Sequence, residues 1–179
     1  MAEALHPADR YGAVARFLHW SMAALILINL ALGLLHDWLE DIGFQAMGLH
    51  KSLGLTLLVL IVVRIGWRLA HRPPPLPGSM SAKEARLATA VHIALYALMV
   101  VMPLSGYIFS SGGKYPLTYF DLFSVPKLPV TRDDMIVDLS HEGHEILGWV
   151  MLLAAIGHIA AALRHHLVLR DGMLKRMLG

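Results

Sequence analysis

Cysteine is absent from this chain. That one absence excludes disulfides, thiolate zinc sites, iron–sulfur clusters and thioether-attached haem. Charge is scarce as well: Asp, Glu, Lys and Arg make up 16% of 179 residues, against about 25% in a typical soluble domain. The apolar share is 56%, above the ~45–50% usual in soluble chains. Acidic residues are missing from the middle of every long apolar run, and there is no internal repeat. A transporter built on a carboxylate proton relay or an inverted repeat is therefore disfavoured. Residues 1–16 are polar and lack the apolar core of a signal peptide.

What remains is mostly membrane-like. Apolar segments cover residues 17–35, 49–69, 87–109 and 146–163. Each is near the ~20 residues that carry a helix across ~30 Å of hydrocarbon. Lipid offers the backbone no hydrogen bonds, so each segment must be helical. The expected fold is all-α: an integral membrane four-helix bundle forming a single domain over residues 1–179. Its helices are expected at about 17–36, 49–70, 87–110 and 143–166. Pro73, Pro74, Pro75, Pro77 and Gly78 mark a linker after the second helix, and Pro103 should kink the third. The stretch 110–138, with Gly112, Gly113, Pro116, Pro126 and Pro129, reads as an ordered extramembrane loop.

Basic residues set the orientation. Arg10 and Arg16, then Arg68, Arg72, Lys83 and Arg86, then Arg164, Arg170, Lys175 and Arg176 all fall on one side. The opposite loops carry Asp37, Glu40 and Asp41, and a mixture of Lys114, Lys127 and Arg132 with Asp121, Asp133, Asp134, Asp138 and Glu142. Both termini are expected in the cytoplasm, and the other two loops in the periplasm.

There are eleven histidines, and with no thiolates they lead as metal ligands. His144 and His158 are fourteen residues apart, which returns them to within about 40° of one helix face and about 21 Å apart along the axis. One helix face can thus serve two haems, one near each membrane surface. His50 lies at the depth of His144, and His19 at the depth of His158. Bis-histidine pairs His50–His144 and His19–His158 follow, leaving no open position on iron and favouring electron transfer. Gly33, fourteen residues after His19, would leave room for the outer macrocycle. Arg64, fourteen residues after His50, would meet a haem propionate. Gly54 and Gly148, one turn from His50 and His144, allow either haem approach or close helix packing. Two rivals stay open: His92 at the inner depth, and His141, which the spacing puts on another face and in the loop. His36 reads as interfacial and His71 as a solvated loop residue. His165 and His166 read either as a basic helix end at lipid head groups or as a propionate or quinone contact.

The chain resembles the bacterial di-haem cytochrome b561 family, which includes a superoxide oxidase. The resemblance runs from Arg10 to Met177. It rests on Arg16-Phe17-Leu18-His19-Trp20, His50-Lys51-Ser52-Leu53-Gly54 with Val63-Arg64, and His92, Tyr96 and Pro103-Leu104-Ser105-Gly106. It continues through His144-Glu145, Gly148, His158 and His165-His166. The family's haem ligands fall on His19, His50, His144 and His158, and its quinone site implicates His165. The resemblance implies a membrane haem oxidoreductase of the bacterial inner membrane. It would carry two haem b, oxidise superoxide outside and reduce ubiquinone inside. Lys51, beside His50, is then a candidate attractor for the superoxide anion, with Lys114, Lys127 and Arg132 as helpers; each alone also reads as an ordinary solvated charge. The alternative is an electron relay between quinone and a partner dehydrogenase or periplasmic redox protein. The expected partners are the lipid bilayer, quinone, and superoxide or a redox protein, with no nucleic acid.

Overall fold

A computed structural model describes residues 10–75 and 80–178 of the chain. The polar residues 1–9 of the N-terminal stretch, and Pro77 and Gly78 of the proline-rich linker, lie outside the described residues. Four long helices, α1 (Ala13–Leu34), α3 (Ala46–Ala70), α4 (Ala82–Gly112) and α5 (Met135–Arg164), form the bundle, with a short α2 (His36–Asp41) between the first two. All four long helices are apolar and long enough to cross a membrane. Large apolar side chains also point outward, among them Val59, Val62, Ile93 and Leu153, each more than 60% exposed. A helix that is apolar all round suits a lipid surround.

Interior packing is layered. Met22, Leu57 and Ile61 form one buried cluster with Tyr96 and Met99 around it. Leu30, Leu98 and Met151 form a second. Leu32, Ala46 and Leu53 form a third where α3 begins. α1 packs on α3, α3 on α4, and α4 on α5. The start of α1 and the end of the chain meet: the Tyr11 amide donates to the Arg176 carbonyl at 3.1 Å, and the Trp20 indole N–H to the Met177 carbonyl at 2.9 Å. We call this the terminal end of the bundle, and the opposite one the hairpin end.

All four long helices start before the expected bounds, α4 and α5 by the most. α4 begins at Ala82 because Ser81 and Glu84 form a capping box: the Glu84 amide donates to Ser81 Oγ at 3.3 Å, and the Ser81 amide to Glu84 Oε2 at 3.0 Å. α5 begins at Met135, eight residues before the expected 143. Asp134 is its N-cap residue and Asp138 lies in its first turn, where negative charge favours a helix start. Lys83, Glu84 and Arg86 in α4, and Asp138, His141 and Glu142 in α5, keep these first turns outside the apolar windows that set the expected bounds. The 110–138 loop is correspondingly shorter and contains a two-stranded antiparallel hairpin, β1 (Leu117–Tyr119) with β2 (Phe123–Val125). The hairpin docks on α3: the Phe120 amide donates to Ser52 Oγ at 2.9 Å, and the Tyr119 hydroxyl lies 3.1 Å from Thr56 Oγ1. The α4 helix continues unbroken through Pro103.

Candidate functional site

At the hairpin end, His50 on α3 faces His144 on α5 across 6.0 Å between ring centroids. His50 Nδ1 is 2.9 Å from the Asn29 carbonyl oxygen. His144 Nδ1 is 3.0 Å from the Met102 carbonyl and 3.0 Å from Ser105 Oγ. A carbonyl only accepts, so Nδ1 of each ring carries the proton and donates. Each Nε2 is left with its lone pair free for a metal, the arrangement that outer partners impose on ligating histidines. The Ser105 hydroxyl donates to the Met102 carbonyl at 2.8 Å, which turns its oxygen lone pairs toward His144.

Two glycines give these rings their space. A Cβ at Gly33 would sit 2.9 Å from His50 Cε1, and one at Gly106 would sit 2.9 Å from His144 Cε1. Gly33 therefore clears the His50 imidazole. A Cβ at Gly54 or Gly148 would meet only Asn29 at 3.8 Å or Met102 at 3.9 Å, both ordinary van der Waals contacts.

At the terminal end, His19 on α1 faces His158 on α5 at 6.2 Å, and His92 on α4 faces the same His158 at 5.6 Å. Arg64 reaches into this cluster, donating from Nε to the Tyr96 hydroxyl at 3.1 Å and from Nη2 to His19 Nδ1 at 3.1 Å. Its charge also lies over the Tyr96 ring, as does that of Arg68.

The facing pairs suit the axial positions of a haem. Two metal–nitrogen bonds of ~2 Å and two half-ring widths of ~1 Å put ligating ring centroids roughly 6 Å apart. Among the described residues no group of three or more His, Cys, Asp or Glu side chains is placed to hold a metal ion.

Lys51 lines a small cleft at the hairpin end together with Lys114, Arg132, Phe109 and Tyr115, and no carboxylate is among the cleft's lining residues. Arg132 lies over the Phe109 ring at 5.2 Å. Lys127 is used differently, donating to the Gly113 carbonyl. His141 is not in a loop: the early start of α5 makes it helical, stacked on Phe109 at 4.3 Å and 3.3 Å from Glu145. His36 pairs with Asp37 at 3.0 Å, and His71 stacks on Trp67 at 3.8 Å. His165 lies in a π-helical turn, hydrogen-bonded through Nδ1 to Asp171. Spacing alone reveals neither Asp171 nor the contact of Ser105 with His144, because each joins residues across a change of element.

Comparison with known proteins gives the family. The chain is 35% identical to cytochrome b561 homolog 2 of Escherichia coli (strain K12) over 96% of its own length and 92% of that protein. It is 27% identical to the probable superoxide oxidase CybB of Yersinia pestis, covering 94% of this chain and 96% of the relative. It is 27% identical to cytochrome b562 of Cereibacter sphaeroides, covering 90% of each. Residues 10–179 match the family described as prokaryotic cytochrome b561. With that match lying over four membrane-crossing helices and their facing histidines, the chain belongs to the prokaryotic cytochrome b561 family, multi-pass proteins of the inner membrane that bind b-type haem and transfer electrons.

Proposed function

We propose that this single-domain protein holds two haem b, oxidises superoxide at its hairpin end and reduces ubiquinone at its terminal end. The observation that carries this reading is the pair of facing histidine couples, 6.0 and 6.2 Å between rings, one near each end of the same helix. His50 with His144 would hold the outer haem, and His19 with His158 the inner. His19 is taken as the partner of His158 on the family resemblance; both His19, at 6.2 Å, and His92, at 5.6 Å, face that ring. Bound haem supplies a one-electron iron couple with both axial positions filled, suited to electron transfer rather than oxygen binding.

The protein's own residues do the rest. His50 and His144 are fixed as Nδ1–H tautomers by the Asn29 and Met102 carbonyls. Arg64, which donates from Nη2 to His19 Nδ1, would be the cation to pair with a propionate at this end. Lys51, Lys114 and Arg132 make a cationic cleft for a small anion at the hairpin end. Each superoxide gives up one electron and leaves as dioxygen; two electrons and two protons convert ubiquinone to ubiquinol.

The charge pattern supports a direction. Arg164 at the end of α5 lies 3.8 Å from Glu84 at the start of α4, so the basic segments flanking both gather at the terminal end. Basic flanks mark the cytoplasmic face. The hairpin end then faces the periplasm, where superoxide cannot be reached by cytoplasmic enzymes.

Anaerobic mixing of the purified protein with superoxide tests this reading. The haem absorption bands should reduce rapidly, and added short-chain ubiquinone should reoxidise them. Raising ionic strength should slow the first phase, and the double variant Lys51→Glu/Arg132→Glu should slow it by about tenfold, since focused charge raises encounter rates by roughly 10–10³. Haems that are reduced only by a co-purifying protein would replace this reading with the relay one.

A further inference from the structure

A second acid–base group lies beyond the inner histidine cluster. After Arg164 the α5 helix widens into a π-helical turn, His165–Leu169, which ends at Arg170 in a left-handed conformation with φ 53°. π-Turns and left-handed non-glycine residues both occur preferentially at functional sites. The reversal at Arg170 brings Asp171 back against His165, where Asp171 Oδ2 accepts from Nδ1. Asp171 Oδ1 accepts the Met173 amide at 3.0 Å, so the carboxylate is held from both sides. Neither side chain is a surface group: they are 14% and 13% exposed. The tail that follows is fastened to the start of α1 through Tyr11 and Trp20. Trp20 in turn lies against His19, ring centroids 5.1 Å apart. The pair therefore belongs to the same end as the His19–His158 couple. His165 follows His158 by seven residues, two turns and about 10 Å further along nearly the same face.

With Nδ1 committed to Asp171, the ring's proton-transferring atom is Nε2, for which the described residues show no hydrogen-bond partner. We propose that Asp171 is a positioning residue that orients His165 to deliver protons to a quinone at the terminal end; this rests on the ubiquinone reading above. His165 in its doubly protonated form gives the Nε2 proton to a quinone carbonyl oxygen. It keeps Nδ1–H on Asp171 and regains the Nε2 proton from cytoplasmic water. Two such cycles, with the two electrons surrendered by two superoxide anions, convert one quinone to one quinol and release two dioxygen.

The test uses the full haem-loaded protein, prereduced without oxygen and mixed with a short-chain ubiquinone. Asp171→Asn should lower the maximal reoxidation rate by about 100-fold, within the range of general acid–base contributions. KM for the quinone should stay within about twofold and haem content should be unchanged. Equilibrium binding of the same quinone to the oxidised protein should also be unchanged. His165→Gln should lose as much, the double variant no more, and Asp171→Glu should recover most of the rate. In ¹⁵N-histidine-labelled protein the Nδ1–H resonance of His165 should move in Asp171→Asn. An unchanged maximal rate in Asp171→Asn, a loss confined to KM, or multiplying losses in the double variant would each overturn the proposal. If Asp171→Asn fails to assemble, the Asp171→Glu and His165→Gln pair decides: equal rates overturn it. Unaltered protein that ubiquinone does not reoxidise would instead overturn the functional reading itself, and this assignment with it.

Discussion

Replacing His158 with leucine should remove the haem at the terminal end, leave the other in place, and abolish reoxidation by ubiquinone while superoxide still reduces the haem that remains. The expectation follows from where His158 stands. It is the ring that both His19 and His92 face, at 6.2 and 5.6 Å. Whichever partner is used, no axial couple survives its loss. The two partners separate in single variants: His19→Leu should cost the inner haem, and His92→Leu should leave both haems bound. Haem content and the low-temperature α-band, which resolves haems in unlike surroundings, read all three outcomes. Loss of the hairpin-end haem in His158→Leu would mean that depth has been assigned backwards.

The second large effect is expected at a residue with no chemistry of its own. In Gly106→Val the outer haem should be lost, and in Gly106→Ala its affinity should fall by about tenfold, with the inner haem retained in both. A Cβ at this position would stand 2.9 Å from His144 Cε1. The ring cannot step aside freely, because Nδ1 is held 3.0 Å from both the Met102 carbonyl and Ser105 Oγ. Overpacking of this kind costs about 1–3 kcal/mol, and each 1.4 kcal/mol is about tenfold in affinity. Haem titration of the apo-variants measures it. Gly148→Ala is the control: its Cβ would meet only Met102 Cε at 3.9 Å, so haem binding should be unaffected. Equal losses in the Gly106→Ala and Gly148→Ala variants would mean that general helix separation, rather than clearance of the His144 ring, governs the site.

Much of the frame is legible in the chain itself. Four apolar runs of near-membrane length announce the four spans, because lipid leaves the backbone no alternative to helix. Helical arithmetic then sets the fourteen-residue steps from His19 to Gly33, His50 to Arg64 and His144 to His158. Periodicity within one helix cannot supply the rotation of one helix against another. Gly33 shows this: its depth is readable, but its target, the His50 ring, depends on how α1 and α3 are phased. Ser105 and the Met102 carbonyl escape for the same reason, since their contact with His144 joins α4 to α5. All four starts fall before the apolar windows, by most at α4 and α5, where Ser81 with Glu84 and Asp134 sit at the helix N-termini. The β1–β2 hairpin has strands of three residues, too short for an alternating pattern, and turns at Phe120 and Asp121 with positive φ and no glycine. Asp171 reaches His165 only through a π-turn and a left-handed arginine, neither of which has a sequence marker.

Haem number is the decisive quantity for this protein. A pyridine haemochrome assay on the purified protein, set against protein concentration from amino-acid analysis, measures it directly. Two b-type haems per chain are predicted, one for each facing couple. A value of one would leave either His50–His144 or His19–His158 without its haem and break the account at that end, and a value of zero would contradict it altogether.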